Sequence, residues 1–162
     1  MKKILLHIGM QKTGTSSLQK FLLHNRDLLL NAGFYYPVSN IGGTPAHHFL
    51  AEAAQNSAIN QIDARDVLSS LKETYRPLID EIKMHPTSIV SSESFQNCNP
   101  YLIRELFQDF DVMVVAYLRN EIEFITSSYA QRIHATTSAE TAEEYVSRSE
   151  INYGQFLDGW SR

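Results

Sequence analysis

The chain has one cysteine, Cys98, no low-complexity stretch and no surplus of positive charge. A lone cysteine excludes an internal disulfide and fits a reducing compartment. Fourteen Lys and Arg against eighteen Asp and Glu leave a net charge of −4, which argues against a nucleic-acid backbone or an anionic membrane as partner. Any anion that is bound must therefore be held locally. No apolar run approaches the ~18 residues that a membrane span needs. The opening run Ile4–Ile8 after Lys2 and Lys3 is too short for a signal peptide and is interrupted by His7. The expectation is a cytoplasmic protein with neither a membrane nor a nucleic-acid partner.

What is present, 43% hydrophobic and 20% charged among 162 residues, is the composition of a single globular domain over residues 1–162. Strand-like and helix-like runs alternate throughout, as in an α/β domain with a mainly parallel sheet. Residues 3–8 form a short apolar strand, followed by a turn through Gly9 and Gly14. From Thr15 the residues Leu18, Phe21, Leu22, Leu29 and Leu30 predict one helix ending at Gly33. Residues 34–37 read as a second strand and 38–45 as a loop. Residues 63–83 put Val67, Leu71, Tyr75, Leu78, Ile79 and Ile82 on one helical face. Two more strands, 87–92 and 111–117, bracket a helix around Leu102 and Leu106. In open parallel sheets ligands bind beyond the carboxyl ends of the strands, and each of these strands ends in polar residues.

After the first strand comes Gly9-Met10-Gln11-Lys12-Thr13-Gly14-Thr15-Ser16-Ser17. Glycines there let main-chain N–H groups approach a phosphate, and the helix start and Lys12 add positive potential. The triphosphate-binding pattern GxxxxGK[ST] is not met, because Thr15 stands where its lysine belongs. After the 111–117 strand, Arg119 and Ser127 can surround a second anionic group; equally, Arg119 can form a surface ion pair with Glu121 or Glu123. After the 87–92 strand, Glu93 is a partly desolvated carboxylate suited to act as a general base. It can also serve simply as first-turn acid of a helix.

Other residues carry less. Adjacent His47 and His48 cannot both reach one metal from a helix, so no metal site is expected; one of them, His48 in particular, is a candidate to line an acceptor pocket or replace Glu93 as base. His7 reads as a hydrogen-bonded core histidine and Cys98 as a structural thiol. Tyr35, Tyr36, Phe95 and Tyr101 read as core before they read as a stacking surface. Glu140, Glu143 and Glu144 suggest a solvated helix face with a Glu144–Arg148 pair.

The segments HIGMQKTGTSSLQKFL, IVSSESF and VVAYLRNEIEFITSSYAQ, in this order from about residue 3 to residue 132, resemble the sulfotransferase superfamily. That family uses 3′-phosphoadenosine-5′-phosphosulfate (PAPS). The resemblance implies a three-layer α/β/α fold related to the P-loop nucleotide-binding proteins. It implies that Lys12, Thr13, Gly14, Thr15, Ser16 and Ser17 hold the 5′-phosphosulfate, and that Arg119 and Ser127 contact the 3′-phosphate. Glu93 falls where relatives carry a His or Glu base, Lys12 would stabilise the leaving phosphate, and no metal is implied. The acceptor would be a hydroxyl or amine of a carbohydrate or small metabolite. Members of the family are generally longer, so the chain is expected to be a compact member or a piece lacking a C-terminal part. An atypical P-loop kinase and a catalytically silent nucleotide-binding module are the alternatives.

Overall fold

A computed structural model describes residues 1–59, 63–136, 139–149 and 151–161. Three five-residue strands, β1 (Lys3–His7), β2 (Thr87–Ser91) and β3 (Asp111–Val115), form a parallel sheet in the order β2-β1-β3. The α/β class and the parallel sheet are as the alternation of the sequence implies. With β1 in the middle, one neighbour arrives from each side, so the loop leaving β1 lies at the point where the strand order reverses. That is the place where open sheets of this kind leave a crevice for ligands.

Helices α1 (Thr15–His24), α2 (Arg26–Asn31), α3 (His48–Ile59), α4 (Ala64–Thr74) and α5 (Arg76–Lys83) fall between β1 and β2. A 3-10 turn (Glu93–Asn97) and α6 (Pro100–Leu106) connect β2 to β3, and α7 (Glu121–Ala135), α8 (Ala142–Arg148) and α9 (Tyr153–Trp160) follow. Alternate residues Ile4, Leu6 and Ile8 of β1 and its exit join Val90 in a core with Leu50, Leu71, Leu78, Ile82, Leu102 and Ile103. The other face carries the row Ile89–Leu5–Met113, where Met113 is half exposed. No described helix is long and apolar enough to cross a membrane.

Four expectations change. The helix from Thr15 is two helices, because Asn25 leaves helical geometry at φ −104°, ψ 23° and turns its side-chain amide onto the Phe21 carbonyl at 2.8 Å. The 63–83 helix likewise breaks at Tyr75, since Pro77 in the first turn of α5 has no N–H to continue a helix from α4. The second strand reduces to one parallel bridge, Tyr35 to Ser88, closed by Tyr35 N–H on Thr87 O (2.9 Å) and Ile89 N–H on Tyr35 O (2.8 Å); Pro37 lacks the N–H to extend it. Finally, Arg148 pairs with Glu140 and not with Glu144. Glu144 instead completes a capping box with Thr141 at the start of α8.

Candidate anion loop and carboxylate site

The ladder continues past the strand ends and sets the three polar tails side by side. Ile8 N–H donates to Val115 O (3.0 Å), Met10 N–H to Tyr117 O (3.3 Å) and Ser92 N–H to His7 O (3.0 Å). Gly9, at φ 75°, lies against the main chain of Glu93: a Cβ there would come within 2.5 Å of Glu93 Cα. Only glycine permits this approach, which brings the loop after β1 directly onto the residue after β2.

Lys12 (φ 64°) and Gly14 (φ 86°) also adopt left-handed backbone, and for the non-glycine Lys12 that costs about 1–2 kcal/mol. Thr13 Oγ1 donates to Met10 O at 2.6 Å across the bend. Gly14 caps α1 without a side-chain bond. Among the described residues, the N–H groups of Lys12, Thr13, Gly14, Thr15 and Ser16 donate to no acceptor. Successive unpaired N–H groups on a left-handed bend at a helix start form a concavity for an anion. Lys12, Thr13, Gly14, Tyr117, Leu118 and Arg119 line a depression of about 290 Å³ there. Thr15 is buried, and Ser16 and Ser17 are exposed at the mouth of α1.

Of the two readings of Arg119, the structure shows the surface ion pair, and it adds a contact to the loop. Its Nε donates to Glu123 Oε2 at 3.1 Å, the surface pair, while Nη1 donates to the Lys12 carbonyl at 2.8 Å and so touches the loop. Ser127, half-buried on α7, is not brought together with Arg119 or the loop by any hydrogen bond and does not line the depression.

Glu93 and His48 do meet. The His48 Nε2 atom lies 4.0 Å from Glu93 Oε2, with both side chains mostly covered. His48 Nδ1 is 2.8 Å from Ser92 Oγ, which also accepts the Ser94 N–H at 3.1 Å. A ring nitrogen with its lone pair aimed at the carboxylate would be repelled, so Nε2 presents N–H toward Glu93. His47 turns the other way, into the core, where its Nδ1 accepts the Ser91 N–H at 3.2 Å. Burial pushes its pKa down from 6.5 to about 4, so the ring is neutral at pH 7. His7 is buried too, with Nδ1 2.8 Å from Ser91 Oγ, and burial lowers its pKa against the opposing pull of Glu93. The thiol of Cys98 is buried, donates to Ala51 O at 2.9 Å and is pushed up to about 12, which leaves it unreactive. Tyr36 and Phe95 are fully buried, whereas Tyr101 is half exposed.

One residue of the site escapes the sequence reading. Gln19 of α1 is 1% exposed and its Nε2 donates to Glu93 Oε2 at 2.6 Å. The buried face of α1 is Thr15, Gln19 and Leu22, while Phe21, counted in the apolar stripe, is 56% exposed. The available signal was a polar residue one turn after Thr15 and one turn before Leu22, on a single face. With Gln19 and His48 both addressing Oε2, Oε1 of Glu93 has no protein hydrogen-bond partner among the described residues. Comparison with family models, with curated proteins and with solved structures returned no match.

Proposed function

We propose that the chain is a sulfotransferase of the layered, P-loop-like kind, moving the sulfuryl group of PAPS to a hydroxyl or amine of a carbohydrate or small metabolite. One observation carries this reading: a glycine-rich loop with unpaired N–H groups, at the reversal point of the sheet, packs through Gly9 directly against Glu93. An acidic base held that close to a phosphate-type loop suits transfer to a neutral nucleophile. In the transfer, the acceptor oxygen or nitrogen forms its bond to sulfur as the bond from sulfur to the 5′-phosphate oxygen breaks. The phosphate departs with the electron pair, and the acceptor proton goes to Glu93.

Each residue then has a physical task. The open N–H groups of residues 12–16 and the Lys12 ammonium stabilise charge on the departing phosphate. Gln19 and His48 occupy Oε2 and leave Oε1 to take the proton. Arg119 supplies a guanidinium at the neighbouring strand end for the 3′-phosphate. Ser127 keeps a part in that contact only if the nucleotide itself bridges it to Arg119.

Calorimetry with 3′,5′-adenosine bisphosphate and with magnesium ATP tests the donor side. The bisphosphate is expected to bind preferentially and to weaken in Arg119→Ala; preference for magnesium ATP would establish the kinase alternative instead. Transfer from labelled PAPS to a panel of sugars and amines tests the chemistry. Glu93→Gln is expected to abolish transfer with the nucleotide still bound. Bound nucleotide with no transfer by the unaltered chain would identify a silent module.

A further inference from the structure

Lys12 is the one residue of the loop that holds left-handed backbone without being glycine; Gly9 and Gly14 do so freely. Its carbonyl is the acceptor of Arg119 Nη1 at 2.8 Å. Arg119 is fixed from two further directions: Nε is on Glu123, and its own carbonyl receives the Tyr153 hydroxyl at 2.6 Å. The guanidinium is therefore a brace across the crevice between β1 and β3, tied at its root to α9. A hydrogen bond to the Lys12 carbonyl fixes the peptide plane between Lys12 and Thr13, and with it the direction of the Thr13 N–H and the start of the turn from which the following N–H groups are set.

We propose that Arg119 is a positioning residue of the anion loop: through the Lys12 carbonyl it maintains the left-handed turn that turns the N–H groups of residues 12–16 outward. It then supports ligands that never reach its own guanidinium. This rests on the reading of residues 9–17 as an anion loop and goes beyond a contact with a 3′-phosphate, which would involve the guanidinium alone.

The two roles separate with a pair of probes that differ in one group, adenosine 5′-monophosphate and 3′,5′-adenosine bisphosphate. Titrations of the full chain, unaltered and as Arg119→Ala, are read beside amide hydrogen exchange of the free protein. Loss of this one part-exposed hydrogen bond, which acts on the ligand only through the loop, is expected to weaken the monophosphate roughly three- to tenfold, and the bisphosphate by more. The amides of Ser17 and Leu18, both bonded to the Gly14 carbonyl, are expected to exchange faster while those of β1 and β2 keep their protection. Glu123→Gln, which keeps a side-chain oxygen to accept from Nε and leaves the Lys12 bond in place, is expected to keep both loop exchange and monophosphate affinity within about twofold of the unaltered chain. Arg119→Ala binding the monophosphate as tightly as the unaltered chain would overturn the positioning role, even if the bisphosphate weakened. An unaltered chain that binds neither nucleotide would overturn the anion-loop reading itself, and this inference with it. Should Arg119→Ala also lose β1 and β2 protection, Arg119→Lys carries the same comparison, since it keeps the stem and the charge but not the planar fork.

Discussion

Helices α5 and α6, which pack on the core, and the helices after β3 are held by different physics. Helices α5 and α6 each bury three apolar residues, Leu78, Ile79 and Ile82 in one and Leu102, Ile103 and Leu106 in the other. Helices α7, α8 and α9 have no buried residue, and Ile122 on α7 is 76% exposed. In their place are polar ties. Arg132 and Arg148 both bind the Glu140 carboxylate, and Tyr129 donates to the Glu140 carbonyl at 3.0 Å. Asn120, Thr141 and Asn152 cap the three helices. Only Phe156 and Trp160 reach the rim of the core. The difference teaches that the carboxylate side of the site, Glu93 with its partners, stands on the packed region. Arg119, in contrast, stands on the junction between the two.

A core truncation should show the largest effect. Leu78→Ala removes a fully buried side chain from α5 and is expected to cost about 2–5 kcal/mol in chemical denaturation, lowering the melting temperature of the whole chain. If the 121–160 helices kept their exchange protection while β1 and β2 lost theirs, the two regions would be independent and the comparison would fail.

Acid should reach the packed region first. His47 binds its proton with a pKa of about 4 when folded and 6.5 when unfolded, so the unfolded chain takes up more protons in that window. Stability is fully present above pH 6.5 and falls as the pH drops toward 4, by about 2 kcal/mol between about pH 7 and pH 5. His7, also lowered, acts in the same direction. Glu140 is held below the usual carboxylate range, first by Arg148 and then by Arg132. Its contribution is present above the ordinary carboxylate pKa of 4.5 and is lost only as pH falls through the lower folded value. Denaturation curves across pH, read beside exchange in α7 and α8, give the order of loss; α8 loosening above pH 6 would contradict it.

A smaller and local change is expected of Glu140→Gln. Faster amide exchange in α8 and the end of α7, stronger in low salt than in high salt, should come with a melting temperature lowered by no more than a few degrees. Smallest of all, Ile122→Ala should alter denaturation by less than about 0.5 kcal/mol, because that side chain is already in water. A loss comparable to that of Leu78→Ala would show α7 packed against a partner surface.

Much of the framework was legible because its signals are local. The strands are short runs of β-branched and apolar residues, and the loop after β1 declares itself by two glycines, a lysine and four hydroxyls. The helix breaks at Asn25 and Tyr75 were harder to see, since the apolar periodicity runs through both. The side-chain amide of Asn25 and the missing N–H of Pro77 override that periodicity within one turn.

By itself the sequence determined the α/β class, the parallel strands, the glycine-rich loop at the end of β1 and the polar residues at the other two strand ends. These depend on residue types within a few positions of one another. Only the tertiary structure decided which of those residues meet. Gln19 reaches Glu93 across 74 positions, Arg119 reaches the Lys12 carbonyl across 107, and His48 rather than His47 faces the carboxylate. Such contacts are fixed by which strand lies beside β1 and by how closely Gly9 lets the loop approach Glu93. Both are properties of packed backbone, to which residues far apart in the chain contribute together, so no local pattern encodes them.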